Sequence, residues 1–248
     1  MPPSSRARAR EGSEGRPRGG PRGSRSSAPG GAPAPIPVDG MRAPERARGP
    51  ALPPRPLLVL ASASPRRARI LAEIGIPFRV VVSAADETLG PGEEAGAAVA
   101  RLARAKARAV APTESLPVLA ADTEVVCEGR ILGKPGSSQS ALEMLRLLSG
   151  RTHEVVTGVC LWARGREHVG VERTWVTFAE TTEEERAWYV ATGEPMDKAG
   201  AYHVDGRGAL FIASLTGSPS NVAGLPVRLV LSLAREAGVD LGVPGRGL

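Results

Sequence analysis

The chain has 248 residues, of which 42% are hydrophobic and 23% charged, so it can form one large domain or two small ones. No apolar run reaches the roughly 18 residues of a membrane-spanning helix, and no signal-like segment opens the chain. The two cysteines, Cys127 and Cys160, form no CxxC pair, which excludes a disulfide framework and a zinc ribbon. We therefore expect a cytoplasmic protein with no membrane partner.

The excess positive charge lies at the N-terminus. The formal net charge is +6, but residues 1–55 carry +7 and residues 56–248 carry −1. The first segment also holds 12 of the 23 prolines and no aromatic residue, so it cannot bury enough apolar surface to offset the entropy of ordering. We predict a disordered extension over 1–55, rich in Arg, Pro and Gly, and a globular domain over 56–248. Nucleic-acid binding is expected only through the basic extension.

Strands and helices alternate along the domain, with hairpins among them. Short apolar or alternating runs predict strands at 57–61, 78–83, 118–121, 124–127, 154–163, 167–178 and 209–215. Amphipathic runs predict helices at 65–73, 93–110, 138–148, 182–191 and 226–236, and Thr182 with Glu185 predicts a capping box at the start of 182–191. This order favours an α/β fold whose sheet is mixed rather than purely parallel.

The first candidate site is the junction between the first strand and the first helix. Ser64 is a good N-cap and Pro65 suits the first helical position. Free N–H groups and the helix dipole attract anions there, and Arg66 and Arg67 add forked donors suited to phosphate oxygens. Taken alone, however, the segment from Ser62 onward favours an ordinary capped helix with two solvated arginines.

The lysines are the second signal. The chain has 29 arginines and only 3 lysines, so nearly every surface cation is an arginine. Lysine offers a compact ammonium with a tunable pKa, which arginine cannot supply. Lys106, Lys134 and Lys198 are therefore candidate functional residues, and the alternative is that they are remnants of codon drift.

Acidic residues follow two of the predicted strands. Asp122 comes after 118–121, and Asp86 and Glu87 come after 78–83. Ligand groups in α/β proteins gather at the carboxyl ends of strands, although an Asp there can simply cap a turn. No His/Cys cluster is present, so a metal would be Mg²⁺ or Mn²⁺ with oxygen ligands. These cations and carboxylates together describe a polyphosphate site, without defining the reaction.

Six segments, in the same order, resemble the Maf-like nucleoside triphosphate pyrophosphatases. They are SASPRRARIL from Ser62, ADT from Ala121, LGKP from Leu132, MLRLLSGRTH from Met144, DKAGAY from Asp197 and SNVAGLP from Ser220. The resemblance covers about residues 57–240. It implies an elongated mixed sheet flanked by helices, in two lobes around a cleft, similar to the inosine triphosphatase fold. It also implies a homodimer that hydrolyses nucleoside triphosphates to the monophosphate and pyrophosphate with a divalent metal.

The resemblance also implies roles for the candidate residues. Asp122 matches the family's catalytic acid, usually assigned as general base, and it is a possible metal ligand together with Glu87. Glu87, Lys106 and Lys134 match the other catalytic charges. The expected substrate-binding residues are Ser62, Ser64, Arg66, Arg67, Thr123, Lys198 and Asp205. The residues themselves do not decide whether Asp122 activates water or holds the metal.

Base preference rests on the segment that begins at Asp197, which resembles the branch acting on dTTP and UTP. Asp205 departs from that branch, which usually has Gln there, and an ionised Asp can only accept hydrogen bonds. Glu124 is also unusual after Ala-Asp-Thr and adds negative charge near the site. The alternatives are a pyrophosphatase for a purine or modified nucleotide, and a non-catalytic nucleotide- or RNA-binding regulator that uses the basic extension.

Overall fold

The computed structural model describes residues 55–243, which form a seven-stranded mixed sheet with helices packed against it. The strands are β1 (Leu58–Leu60), β2 (Phe78–Val80), β3 (Val118–Cys127), β4 (Arg130–Leu132), β5 (Thr152–Ala163), β6 (Arg166–Phe178) and β7 (Ile212–Thr216). The helices are α1 (Pro65–Glu73), α2 (Ala95–Val110), α3 (Ser138–Leu148), α4 (Glu183–Ala191), α5 (Pro219–Val222) and α6 (Val227–Glu236). The predicted N-terminal extension lies outside the described residues apart from Arg55, so its disorder stays a prediction.

The sheet order is β2-β1-β3-β5-β6-β7, and β4 pairs with the end of β3. β1 runs parallel to β2 and β3, whereas the other pairs are antiparallel. The predicted α/β fold with a mixed sheet is therefore confirmed. No helix within residues 55–243 is long and apolar enough to cross a membrane.

β1 is buried on both faces, which explains its unbroken apolar sequence. Leu58 and Leu60 contribute to a core with residues of α1 and α6. Val59 contributes to a separate core with residues of α2. Helices thus cover both sides of the sheet where β1 ends and α1 begins.

A further core lies toward the other end of β3 and β5. Val125 and Val155 pack there with residues of α3 and α4, whereas Ala121 and Val159 of the same two strands belong to the core beside α1. The long strands therefore join two packed regions, as the predicted two lobes require. The polar middle of β3 lies between the two cores.

Two strand predictions were wrong in detail. Residues 118–121 and 124–127 were predicted as separate strands, but they form one continuous strand because β5 pairs with β3 from Val118 to Val126. The strand predicted at 209–215 begins only at Ile212, because Arg207–Phe211 is a 3-10 helix. Glu194 holds this turn by accepting hydrogen bonds from the N–H groups of Arg207 and Gly208.

Two hairpin turns and the cap of α4 have the backbone geometry that their residues favour. The turns at Glu128-Gly129 and Arg164-Gly165 have positive φ at both central residues, as two-residue hairpins require. Thr182 and Glu185 form the predicted capping box of α4.

Candidate active site

A cavity of about 320 Å³ opens beside the middle of β3. Its volume lies in the range of small-ligand sites. The first turn of α1, part of the loop before α2 and the segment around Asp197 form its walls. Of the predicted site residues, nine line it: Ser62, Ser64, Arg66, Arg67, Glu87, Lys106, Asp122, Thr123 and Lys134.

The sheet topology creates this cavity. On the edge of β3 away from β5, β1 pairs with Val118 and Leu119, and β4 pairs with Val125 to Cys127. Asp122 and the two residues after it lie between these two pairings and line the cavity. Asp122 therefore lies inside a strand, and not after its end as predicted, but it does lie beyond the carboxyl end of β1.

α2 brings Lys106 to the cavity floor. Its buried residues recur at helical spacing, and Lys106 occupies that face between Ala103 and Ala107. The helix crosses the sheet over Gly158, where an added Cβ would lie 2.3 Å from the carbonyl oxygen of Val99. Gly158 is the register partner of Asp122 on β5, so this close approach sets α2 against the strand that carries the carboxylate.

Lys106 bridges two carboxylates. Its Nζ lies 2.6 Å from Oδ1 of Asp122 and 2.9 Å from Oε2 of Glu87. The side chains of Lys106 and Asp122 are only 7% and 8% exposed, whereas Glu87 is 54% exposed. The other oxygen of Asp122, Oδ2, is buried without a hydrogen-bond partner. Lys106 therefore holds Oδ1 of Asp122, and Oδ2 is available to a ligand.

Glu124 is the carboxylate that the sequence flagged without assigning a role. It lines the same cavity two residues beyond Asp122, and its Oε2 is also buried without a partner. Burial, followed by the charge of Asp122, raises the pKa of Glu124 to about 7, although Lys106 and Lys134 act in the opposite direction.

The first turn of α1 opens onto the cavity. Ser64 has the extended backbone of an N-cap, and Pro65 is the first helical residue, as predicted. The hydroxyl of Ser64, however, makes no capping hydrogen bond. Its own N–H instead donates to the hydroxyl of Ser62 at 3.1 Å. The start of α1 therefore keeps the anion-attracting character that a side-chain cap would reduce.

Arg67 ties three segments of the wall together. Its guanidinium donates to the Gly224 carbonyl at 2.8 Å, to the Thr123 hydroxyl at 3.0 Å and to the Ser62 hydroxyl at 3.3 Å. The Thr123 hydroxyl lies a further 2.9 Å from that of Thr157 on β5. Burial lowers the pKa of Arg67, and the Asp122 carboxylate partly offsets that effect. Arg67 therefore organises the wall, and part of its donor capacity is already used.

Two other cations remain uncommitted. Arg66 and Lys134 line the cavity, and neither forms an ion pair with any residue in the range 55–243. Burial lowers the pKa of Arg66, with Asp197 and Asp205 opposing the shift. Lys134 is exposed in the loop after β4. Both side chains are available to an anionic ligand.

Two predicted substrate-binding residues do not line the cavity. Lys198 is buried and ion-paired with Asp197, and its Nζ also donates to the Glu194 carbonyl oxygen at 3.3 Å. Asp205 is ion-paired with Arg69 at 2.9 Å. The neighbours of Lys198 do face the cavity, since Asp197 and Ala199 line it.

Tyr202 and Glu124 were not among the predicted site residues. Tyr202 lies in the predicted DKAGAY segment and lines the cavity, but its hydroxyl lies 2.9 Å from Nε2 of His153. Glu124 did carry a signal, because it is unusual after Ala-Asp-Thr and adds a second carboxylate two residues beyond Asp122. Such a signal marks an unusual position without identifying its neighbours.

The donor chemistry of the cavity fits a hard divalent cation. No group of three or more His, Cys, Asp or Glu side chains in residues 55–243 could hold a metal by itself. Mg²⁺ is commonly bound by one or two carboxylates with waters and substrate phosphates completing the shell. The buried, unpartnered Oδ2 of Asp122 suits that mode of binding.

Several known proteins are similar to this chain. A family model described as Maf-like protein matches residues 57–237. A dTTP/UTP pyrophosphatase of Moorella thermoacetica is 53% identical over 176 residues, covering 69% of this chain and 90% of that protein. A dTTP/UTP pyrophosphatase of Anaeromyxobacter sp. is 48% identical over 188 residues, covering 72% and 90%. Among solved structures, a HAM1 protein from Coxiella burnetii aligns with a TM-score of 0.42 at 15% identity, covering 73% of this chain and 100% of that one.

Proposed function

The chain belongs to the Maf-like protein family, and on that premise we propose that it hydrolyses nucleoside triphosphates, specifically dTTP and UTP, to the monophosphate and pyrophosphate. One observation carries the proposal: the Asp122 carboxylate is held by Lys106 through Oδ1 and keeps Oδ2 available, in a cavity with uncommitted cations. The choice of dTTP and UTP is supported by the names of the relatives.

In this proposal, the cationic groups of the cavity bind different phosphate oxygens of the triphosphate. A bound triphosphate carries about four negative charges, so charge neutralisation is the first requirement of the reaction. The start of α1, Arg66 and Lys134 face the cavity without carboxylate partners, and they bind phosphate oxygens in this proposal. Their charges stabilise the pyrophosphate as it leaves.

Asp122 positions the attacking water. Lys106 fixes the orientation of the carboxylate through Oδ1, and Oδ2 retains lone pairs for further partners. The carboxylate accepts a hydrogen bond from the water and takes its proton as the oxygen attacks the α-phosphorus and pyrophosphate leaves. Asp122 would also hold a divalent cation, which when bound supplies Lewis-acid stabilisation of the phosphate charge.

We expect Arg66 and Thr123, which both line the cavity, to act on substrate choice. Asp205 does not line the cavity and is ion-paired with Arg69, so this proposal gives it no contact with the base. Its departure from the usual Gln therefore does not count against dTTP and UTP.

Assembly as a homodimer and a cytoplasmic location stay predictions from the sequence.

A panel of triphosphates tests the proposal. The full chain is incubated with dTTP, UTP, CTP, ATP and GTP, with Mg²⁺ or Mn²⁺, and pyrophosphate and orthophosphate are measured separately. We expect pyrophosphate to be released fastest from dTTP and UTP. Preference for a purine triphosphate would overturn the substrate, and release of orthophosphate alone would overturn the reaction.

A further inference from the structure

We propose that Glu124 is the second carboxylate ligand of the divalent cation, so that Asp122 Oδ2 and Glu124 Oε2 bind the ion together and Glu87 is not required as a ligand. The inference rests on the proposed function, which supplies the need for a cation. It concerns a residue to which the sequence assigned no role, and it replaces the expected pair of Asp122 and Glu87.

Strand geometry places the two carboxylates on one side. Residues two apart on a strand project from the same face, about 7 Å apart along the chain. Asp122 and Glu124 have this spacing on β3, and both line the cavity. The side chain of Glu124 is one methylene longer than that of Asp122, and in this inference it leans toward Asp122 so that one ion contacts both carboxylates.

Unmet hydrogen-bonding capacity supports the same assignment. Asp122 is only 6% exposed, and its Oδ2 is buried without a donor. Oε2 of Glu124 is likewise buried without a donor. Buried carboxylate oxygens normally have a donor or a cation as partner, so two exceptions facing one cavity suit a positively charged ligand that binds both.

Glu87 is less suited to the ion. Its Oε2 already lies 2.9 Å from the Lys106 ammonium, and its side chain is half exposed. Glu124 forms no ion pair within residues 55–243. The Lys106 ammonium is shared between Glu87 and Asp122, which leaves Glu124 as the cavity carboxylate that no cation contacts. A dication between Asp122 and Glu124 would relieve their mutual repulsion.

Manganese binding tests the inference without relying on turnover. The metal-free full chain is titrated with Mn²⁺, and the electron paramagnetic resonance signal of free Mn²⁺ is measured with and without α,β-imido-UTP. We expect Glu124→Gln to weaken Mn²⁺ binding at least tenfold in both conditions. Glu87→Gln and the surface control Glu180→Gln should change it less than threefold.

Glu124→Gln binding Mn²⁺ within threefold of the parent would overturn the inference, and so would Glu87→Gln weakening Mn²⁺ binding more than Glu124→Gln does. Failure of the parent to bind Mn²⁺ in either condition would also overturn it. Circular dichroism checks folding, and Glu124→Val, which suits a strand, serves as a second variant with the same expected loss. Pyrophosphate release by the parent is scored separately, so the inference can fail while the proposed function stands.

Discussion

The cavity and the aromatic cluster beside it differ in charge, because the cavity collects carboxylates and cations whereas the cluster is built from aromatic rings. The cluster consists of His153, Phe178, Tyr189, Tyr202 and Phe211, whose neighbouring rings lie 4.9–5.9 Å apart. Both tyrosine hydroxyls are hydrogen-bonded there, Tyr202 with His153 and Tyr189 with Glu194. In the cavity, two carboxylates keep unpartnered oxygens and two cations lack ion-pair partners in the described part of the chain.

Charge therefore separates the two regions more clearly than burial does. The hydroxyls of the cluster are hydrogen-bonded and most of its ring pairs are edge to face, an arrangement that stabilises a core. The cavity leaves charged groups exposed to one another, which disfavours folding unless a ligand compensates. Substitutions in the cavity should change turnover, and substitutions in the cluster should change stability.

The largest effect is expected for Asp122→Asn. Asn is nearly isosteric but is a poor base and a weaker ligand for a hard cation, so kcat should fall about 10²–10⁴-fold. Pyrophosphate release from dTTP and UTP measures the loss, and circular dichroism should show an intact fold. Asp240→Asn, outside the cavity lining, is the matched control and should keep full turnover. An Asp122→Asn enzyme within threefold of the parent would remove Asp122 from the catalytic role.

Phe178→Ala tests whether the aromatic cluster contributes to stability rather than to turnover. Phe178 is buried and contacts the rings of His153, Tyr202 and Phe211. Truncation should lower the free energy of unfolding by about 3–5 kcal/mol, as for other large-to-small core changes. Urea denaturation measures that loss, and kcat well below the melting transition should stay within a few fold. A large loss of kcat in folded protein would show that the cluster takes part in turnover.

The pH dependence of stability should come partly from His153. Burial lowers its pKa from 6.5 to about 4, so the unfolded chain binds the proton more tightly than the folded protein does. The stabilisation is fully present above pH 6.5 and is lost as the pH falls toward 4, by up to about 3 kcal/mol. Urea unfolding from pH 7.5 to 4.5 should show a shallower decline for His153→Gln. Parallel curves for the two proteins would contradict this assignment.

The smallest predicted effect is that of Lys134→Arg. Lys134 is exposed in a tight loop and has no ion-pair partner within residues 55–243, so stability should change little. A planar guanidinium does not reproduce a compact ammonium beside phosphate, so turnover should fall about tenfold. Arg228→Lys on the exposed side of α6 is the control for the exchange itself. Near-normal activity of Lys134→Arg would favour codon drift as the origin of the lysine.

Local signals predicted much of this site, because they depend on short stretches of chain. The strand-to-helix junction at Ser62 and the capping box at Thr182 lie where predicted, and Lys106, Lys134 and Asp122 do line one cavity. Contacts between distant segments were harder to predict. The approach of α2 to Gly158 is such a contact.

The segment after α4 shows the same limit. The 3-10 helix Arg207–Phe211 depends on hydrogen bonds to Glu194, which lies 13 and 14 residues before the two N–H donors. No periodicity in the segment itself signals these bonds. The pairing of Asp205 with Arg69 spans 136 residues, so a motif position alone could not place this side chain outside the cavity.

Hydrolysis of dTTP in ¹⁸O-labelled water tests whether water attacks the α-phosphorus. Mass spectrometry of the products identifies both the bond that breaks and the phosphorus atom that water attacks. We expect dTMP carrying one ¹⁸O atom and unlabelled pyrophosphate, because the water positioned by Asp122 attacks the α-phosphorus. Formation of dTDP and orthophosphate, or appearance of the label in pyrophosphate, would contradict it.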